Sequence, residues 1–205
     1  MRIGIDFDNT LVNYDIIFQS IAEKMGLQNT ADPKNRIKSY LLTIPNGLKN
    51  WKEIQALVYG EYIKDAYYLP DFIEFYNFTR ENDIDLFIIS YKTKYAHTTK
   101  DRVSLHNAAN DWIQNKINYF PRENIYFELT MKSKIDRIKS LNLDFYFDDL
   151  ISVFEHKSFP NHVKKVLFSN QVTAVKDWDS NSFEVVKNWS EAISIVRKKR
   201  QNILN

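Results

Sequence analysis

The chain has 205 residues, which fits one medium-sized domain or one core domain with a small insertion. It contains no cysteine, so disulfides, thiolate metal ligands and cysteine nucleophiles are excluded, and its four glycines form no GxGxxG loop for a dinucleotide. The 28 Lys and Arg residues against 26 Asp and Glu give a formal net charge of +2, too balanced for a nucleic-acid-binding surface. No stretch is apolar enough to span a bilayer, and a carboxylate at Asp6 interrupts any signal peptide, so we expect a cytoplasmic protein without membrane partners.

Short apolar runs alternate with amphipathic segments along the chain, which is typical of a parallel sheet with crossover helices. The apolar runs predict five strands, at residues 2–7, 86–90, 124–127, 145–147 and 165–168. The amphipathic segments predict a helix that begins near Pro70, one through Trp112, one that buries Ile135 and Ile138, and one with Ser190 as its N-cap. The predicted fold class is therefore α/β, with a Rossmann-like parallel sheet flanked by helices.

The segment 14–68, between the first two predicted strands, differs from the rest of the chain. It is rich in aromatic residues, has a helical pattern, and is interrupted at Asp32-Pro33 and at the turn Pro45-Asn46-Gly47. A crossover connection needs only about a dozen residues, so most of this segment is surplus to the connection. We interpret it as a small helical cap on a core formed by residues 1–13 and 69–205. Extra helices packed on one face of the sheet are the alternative.

Two carboxylates, Asp6 and Asp8, follow the first predicted strand. Their spacing of two residues predicts that both side chains point to the same side of the strand. Because neighbouring acids repel each other, burying them together requires a cation or a proton. Oxygen ligands of this kind suit Mg²⁺, although the same short pattern also occurs in exposed turns.

Further polar residues follow the other predicted strands. Ser90 ends the second strand, Lys134 lies at the start of the helix after the third, and Asp148 and Asp149 end the fourth. The carboxyl ends of parallel strands meet in one crevice, so these groups are predicted to share a pocket with Asp6. A nucleophile, a metal and donors for phosphoryl oxygens are the requirements of phosphoryl transfer.

In this order the motifs resemble those of the haloacid dehalogenase (HAD) superfamily, phosphatase branch. They are Asp6-Phe7-Asp8-Asn9-Thr10, then Ser90, then Lys134 with Ile138 downstream, then Asp148-Asp149, and they span nearly the whole chain. Each motif is short, so the specificity lies in the ordered set. The resemblance implies a HAD-type core with a cap inserted after the first motif, and hydrolysis of a phosphomonoester through an aspartyl phosphate.

The resemblance also implies a role for each acid. Asp6 is the expected nucleophile, and Asp8 is the expected general acid and base. The expected Mg²⁺ ligands are the carboxylate of Asp6, the backbone carbonyl of Asp8 and an acid of the last motif. Of the two acids there, Asp149 is favoured as the direct ligand, while Asp148 acts through water or orients Lys134.

Four residues are candidates for holding the phosphoryl oxygens: Ser90, Lys134, Thr10 and Tyr91. Lys132 is an alternative to Lys134. The one of these two lysines that does not bind phosphate is expected to be a solvated residue at the start of the helix. The spacing from Lys134 to Ile138 favours Lys134.

The resemblance leaves the substrate open among small phosphorylated metabolites. The residues from Asp148 to Phe168 resemble HAD proteins associated with surface polysaccharides, which favours a sugar phosphate or a polysaccharide building block. The alternatives are a 5'-nucleotidase, a phosphotransferase or mutase, and a catalytically inactive protein that binds a phosphate ligand. The sequence does not fix the oligomeric state.

Overall fold

The computed structural model describes residues 1–27, 32–96, 103–169 and 183–204, with side chains up to 201. The strands are β1 (Arg2–Ile5), β2 (Val12–Asn13), β3 (Tyr67–Tyr68), β4 (Asp85–Tyr91), β5 (Ile125–Glu128), β6 (Phe145–Asp148), β7 (Lys164–Phe168) and β8 (Glu184–Val186). The helices are α1 (Asp15–Lys24), α2 (Pro33–Leu41), α3 (Gly47–Tyr59), α4 (Phe72–Glu81), α5 (Leu105–Lys116), α6 (Met131–Ser140), α7 (Ile151–Phe154) and α8 (Trp189–Leu204). Short 3₁₀ helices occupy Glu61–Asp65 and Arg122–Asn124. Within these residues no helix is both long and apolar enough to cross a membrane.

The central sheet has six parallel strands in the order β5-β4-β1-β6-β7-β8. Strand β1 is central, and the chain fills the positions on its β4 side before it crosses to the β6 side. This is the order of a doubly wound Rossmann-type sheet, whose ligand crevice lies where the strand order reverses. The predicted α/β fold is confirmed, and the reversal point is between β1 and β6.

Helices cover both faces of the sheet. On one face, Ile135 and Ile138 of α6 and Val153 of α7 pack with Ile89 and Leu167. On the other face, aromatic rings of α4 and α8 meet the sheet: Trp189 lies 4.5 Å from Phe75 and 5.5 Å from Phe147 between ring centroids. The sheet is thus the middle layer of three, and its strands are apolar because both faces are buried.

The described residues form two compact units. The first unit contains the six-stranded sheet and consists of Met1–Val12, Tyr68–Tyr91 and the described part of Pro121–Asn205. The second unit is helical and consists of Asn13–Tyr67 and the described part of Lys92–Phe120.

The second unit differs from the predicted cap in one respect. Its first segment nearly coincides with residues 14–68, but the segment Lys92–Phe120 belongs to the predicted core. Packing explains the difference: the buried indole of Trp112 in α5 donates from Nε1 to the Ala66 carbonyl at 3.1 Å. That the second unit acts as a cap stays a prediction.

The interruptions predicted in the helical segment coincide with helix starts. Asp32 is the N-cap of α2, where its carboxylate accepts from the backbone N–H of Asn35 at 3.1 Å, and Pro33 opens the helix. Asn46 has a φ of 61°, in the left-handed region that asparagine tolerates, and α3 begins at Gly47.

The predicted N-cap of the last helix is wrong. Helix α8 begins at Trp189, one residue before Ser190. The side chain of Asn188 accepts from the backbone N–H of Glu191 at 2.9 Å, so Asn188 takes the capping role. Ser190 instead donates its hydroxyl hydrogen to Asp71. Asn188 and Ser190 both have short polar side chains that can cap a helix, and the sequence pattern does not separate them.

Candidate active site

Register brings Asp6 and Asp148 side by side at the carboxyl edge of the sheet. Ile5 pairs with Phe147 in parallel register, and the N–H of Asp6 donates to the Phe147 carbonyl at 2.8 Å. Both carboxylates are buried, with 5% of Asp6 and none of Asp148 exposed to solvent. Two acids are therefore held together at the point where the strand order reverses.

Helix α6 delivers a lysine to these carboxylates. Thr130 and Ser133 form a reciprocal capping box that fixes the first turn of the helix. Lys134 then lies on the same buried face as Ile135 and Ile138, because residues three and four apart share one side of a helix. The apolar face of α6 thus carries a cation into the carboxyl edge of the sheet.

The ammonium group of Lys134 lies between the two acids. Its Nζ is 2.6 Å from Oδ1 of Asp6 and 2.6 Å from Oδ2 of Asp148. The lysine side chain is 2% exposed. Lys132, the alternative, is on the solvent side of α6, where it pairs with Asp136 at 2.6 Å and is 79% exposed. The structure therefore brings Lys134, and not Lys132, to the carboxylates.

Asp149 completes a group of three carboxylates. One oxygen each from Asp6, Asp148 and Asp149 lies within 4.8 Å of the others. Both oxygens of Asp148 already accept hydrogen bonds, Oδ2 from Lys134 and Oδ1 from the backbone N–H of Leu150 at 2.9 Å. Asp149 is half-buried and accepts from Nδ2 of Asn9 at 3.2 Å.

Burial and charge perturb the titration of this group. Burial raises the pKa of Asp6 well above its usual value; Lys134 opposes this rise, and the neighbouring charges of Asp148 and Asp149 add to it. For Lys134, burial lowers the pKa, but the charges of Asp6 and Asp148 outweigh it and raise the pKa above its usual value. The lysine is therefore a permanent cation, and the acids retain an excess of negative charge.

The donor set fits a hard divalent cation. Its ligands are carboxylate oxygens, which such cations prefer, and an oxygen from each of three acids is close enough to share one ion. Because burial and the neighbouring acids raise the pKa of Asp6, a further cation at this position would favour its ionised form. Asp6, Asp148 and Asp149 are the residues that could hold the ion, and of these Asp148 already accepts a hydrogen bond on each oxygen.

Asp8 lies in the loop that follows β1, so the two-residue period of a strand does not place its side chain. Strand β1 ends at Ile5, and the chain then turns: the carbonyl of Phe7 accepts from the N–H groups of Leu11 and Val12 at 3.0 and 2.9 Å. Asn9 occupies the left-handed region with a φ of 60°. The two-residue period therefore does not apply at Asp8, whose half-buried side chain lies outside the three-carboxylate group found among the described residues.

The predicted phosphate ligands differ in exposure. Ser90 is in β4, two residues beyond Ile88, which pairs with Ile5, and it is 1% exposed. Tyr91 is the last residue of β4 and is exposed. Thr10 is completely buried, and its Oγ1 has no hydrogen-bond partner within the part of the chain that the structure describes. Contacts of all three with a phosphoryl group stay predictions.

Two residues of the site have no predicted role in the sequence. Asn9 lies within the first motif, and its amide reaches Asp149 because the turn after β1 reverses the chain. Tyr146 is completely buried in β6, and its ring centroid lies 5.6 Å from Nζ of Lys134. An asparagine in a tight turn and a tyrosine in a run of apolar residues are the available signals, and neither identifies a partner.

Comparison with known proteins identifies the fold. The structure is similar to a HAD-superfamily hydrolase from Ehrlichia chaffeensis, with a TM-score of 0.50, 18% identity and 96% of each chain covered. It is similar to a family IA HAD hydrolase from Entamoeba histolytica, with a TM-score of 0.55, 15% identity and 93% of this chain and 94% of that chain covered. It is also similar to a phosphoserine phosphohydrolase-like protein from Francisella tularensis, with a TM-score of 0.52, 16% identity, and 95% of this chain and 99% of that chain covered. No protein-family model and no curated protein matches the sequence. The chain therefore has the fold of the HAD-superfamily hydrolases, as its motifs predict.

Proposed function

We propose that this protein is a Mg²⁺-dependent phosphatase that hydrolyses a small phosphomonoester through a phosphorylated Asp6. The observation that carries the proposal is the contact of Lys134 with both Asp6 and Asp148, beside a third carboxylate on Asp149. A buried nucleophile, a fixed cation and an oxygen-rich metal site together meet the needs of phosphoryl transfer. The fold shared with HAD-superfamily hydrolases agrees with this chemistry.

In the first step, a carboxylate oxygen of Asp6 forms a bond to phosphorus as the bond from phosphorus to the alcohol oxygen breaks. Asp8, in its protonated form, gives its proton to the leaving alcohol. Lys134 orients Asp6 before the attack, and together with Ser90 it donates to the phosphoryl oxygens that gain charge. The product of this step is an acyl phosphate on Asp6.

In the second step, Asp8 takes a proton from a water molecule, which attacks the same phosphorus atom. The bond from phosphorus to Asp6 breaks, inorganic phosphate leaves, and both aspartates return to their starting protonation states. Mg²⁺ held by the carboxylates of Asp6 and Asp149, with the backbone carbonyl of Asp8, would offset negative charge on the phosphoryl group. Asp148 would act by orienting Lys134.

The substrate class is a small phosphorylated metabolite, and a phosphate-release screen tests the proposal. Sugar phosphates, nucleotides and amino-alcohol phosphates should be compared with and without Mg²⁺, with the Asp6→Asn variant as the matched control. We expect Mg²⁺-dependent phosphate release from at least one class and none above background by the variant. No release by the wild type across the panel would refute the proposal. Transfer of the phosphoryl group to an added sugar alcohol, in place of water, would instead identify a phosphotransferase.

A further inference from the structure

The ring of Tyr146 crosses the central strand of the sheet at a glycine. Strand β1 lies between β4 and β6, and Gly4 of β1 pairs in register with Tyr146. A Cβ atom at Gly4 would lie 2.7 Å from Cδ2 of Tyr146 and 3.2 Å from Cδ1 of Ile89. Gly4 therefore leaves the space through which the tyrosine ring passes from β6 towards β4.

On the far side of β1, the hydroxyl group of Tyr146 is bound to the backbone. It donates to the carbonyl oxygen of Ile89 at 2.6 Å, and both residues are completely buried. Ile89 is the residue before Ser90, so this hydrogen bond fixes β6 to β4 next to the predicted phosphate ligand. The hydrogen bond connects β6 directly to β4, across the strand that lies between them.

The face of the same ring supports the lysine ammonium group. Nζ of Lys134 lies 5.6 Å from the ring centroid of Tyr146, within the range of a cation–π interaction. Tyr146 and Asp148 are two residues apart on β6, so they project from the same face of the sheet, the face that α6 covers. The ammonium group is thus held by two carboxylates and one aromatic ring.

On the premise of the proposed function, we infer that Tyr146 is a positioning residue that fixes the Lys134 ammonium group relative to Ser90. One side chain contacts the cation with its ring and the β4 backbone with its hydroxyl group. The distance between the two donors of the phosphoryl group then depends on Tyr146. Its ring also packs against Phe154 and Phe159, with centroids 6.5 and 6.4 Å away, so a purely structural role is the competing explanation.

The substitution Tyr146→Phe separates the two explanations, because it removes the hydroxyl group and keeps the ring and most of its volume. We expect kcat to fall about tenfold or more and KM to rise by a smaller factor, about threefold, since misplacing a group that acts mainly on the transition state lowers kcat and kcat/KM together. Tyr126→Phe is the matched control. Tyr126 is half-buried in β5 and also lies beside a cation, with Cζ of Arg137 at 4.4 Å from its ring centroid, yet it lies outside the carboxylate group. The control should retain the kcat of the wild type.

Binding of inorganic phosphate, measured by calorimetry in the presence of Mg²⁺, supplies a readout that does not require turnover. Tyr146→Phe should bind phosphate about threefold or more weakly than the wild type and Tyr126→Phe. If the wild type hydrolyses a substrate while Tyr146→Phe loses thermal stability but keeps wild-type kcat and phosphate affinity, the positioning role is refuted and the phosphatase proposal stands. If the wild type neither releases nor binds phosphate, the phosphatase proposal fails and the positioning role fails with it.

Discussion

Nζ of Lys134 lies 2.6 Å from Oδ1 of Asp6, with both side chains almost completely withdrawn from solvent. The same ammonium group also contacts Asp148, so one cation serves two acids, and Asp149 adds a third. When all three acids are ionised, three negative charges and one positive charge leave a formal charge of −2 in the group. The charges of the ionised group therefore cancel when a divalent cation binds. Without the metal, the stability of the buried acids depends strongly on Lys134.

Replacing Lys134 by Met should destabilise the metal-free protein. The change leaves Asp6 and Asp148 buried without their cation, and loss of one partner from a buried ion pair costs about 3–5 kcal/mol. Urea unfolding in the presence of a chelator measures the difference in free energy. Added Mg²⁺ should restore part of the lost stability, because it offsets the same carboxylates.

Lys132→Met is the matched control for that experiment, since both lysines belong to the first turns of α6. Lys132 pairs with Asp136 on the solvent side, where water screens the interaction. Its loss should change neither the unfolding midpoint nor the phosphatase activity appreciably. Equal destabilisation by both substitutions would show that the contact of Lys134 with the acids contributes little.

Replacing Asp6 by Asn should remove activity and stabilise the metal-free protein at neutral pH. The pKa of Asp6 is raised in the folded state because burial disfavours the ionised form. A raised carboxyl pKa makes the unfolded state lose its proton first, so folding stability falls as pH rises from the unfolded pKa through the folded one. Asparagine does not titrate, and its advantage over the wild type should therefore be small near pH 4 and larger at neutral pH.

Thermal unfolding of both proteins across this pH range, with a chelator present, measures the effect. A stability difference that shrinks as pH rises would mean that Lys134 dominates the environment of Asp6 and that its pKa is lowered. The activity assay is independent: residual turnover above about one per cent would count against Asp6 as nucleophile, because loss of a covalent route raises the barrier by several kcal/mol.

Several features of the fold and of the site can be predicted from local patterns in the sequence. Five strands of the central sheet, β1, β4, β5, β6 and β7, are predicted to within about two residues at each end. Both faces of a parallel sheet are buried, which leaves continuous apolar runs such as residues 86–89. Lys134 is distinguished from Lys132 by helical periodicity, once Ile135 and Ile138 mark the buried face. These features are local, and a local pattern encodes them.

The remaining features depend on contacts between distant parts of the chain. Strand β8 is only three residues long and forms by pairing with β7, so its own pattern is too short to predict it. Helix α5 belongs to the second unit because Trp112 contacts Ala66, which lies 46 positions away in the sequence. The position of Asp8 depends on a turn that ends the strand period after Ile5. Periodicity assumes that an element continues, and it does not show where a turn ends it.

Replacing Asp149 by Asn should weaken metal binding without unfolding the protein. Asp149 is half-buried and accepts from Nδ2 of Asn9, and one of its oxygens lies within 4.8 Å of oxygens of Asp6 and Asp148. Loss of the ligand charge should reduce Mg²⁺ affinity at least about tenfold, measured by calorimetry or by the Mg²⁺-induced rise in Tm.

Asp83→Asn is the matched control, because Asp83 is exposed in a turn with a φ of 52° that asparagine also tolerates. If Mg²⁺ binds the Asp149→Asn variant as tightly as the control, the assignment of Asp149 as a direct ligand is wrong.

Replacing Thr10 by Val tests a buried hydroxyl group of the first motif. Thr10 is completely buried, and Oγ1 has no hydrogen-bond partner among the described residues, so the hydroxyl has lost water without gaining a contact. The nearly isosteric valine should therefore raise the free energy of unfolding by about 1 kcal/mol. Thr79→Val is the matched control: Thr79 is equally buried, but its hydroxyl donates to the Tyr76 carbonyl at 2.7 Å, so the same substitution should lower stability. Activity is a separate readout, because Ser90 and Lys134 are about as buried as Thr10 and are also predicted phosphate ligands. A kcat and KM within about twofold of the wild type would show that the Thr10 hydroxyl has no part in catalysis. A large loss of activity in Thr10→Val, without loss of stability, would instead assign this hydroxyl to the phosphoryl group, as the sequence motif predicts.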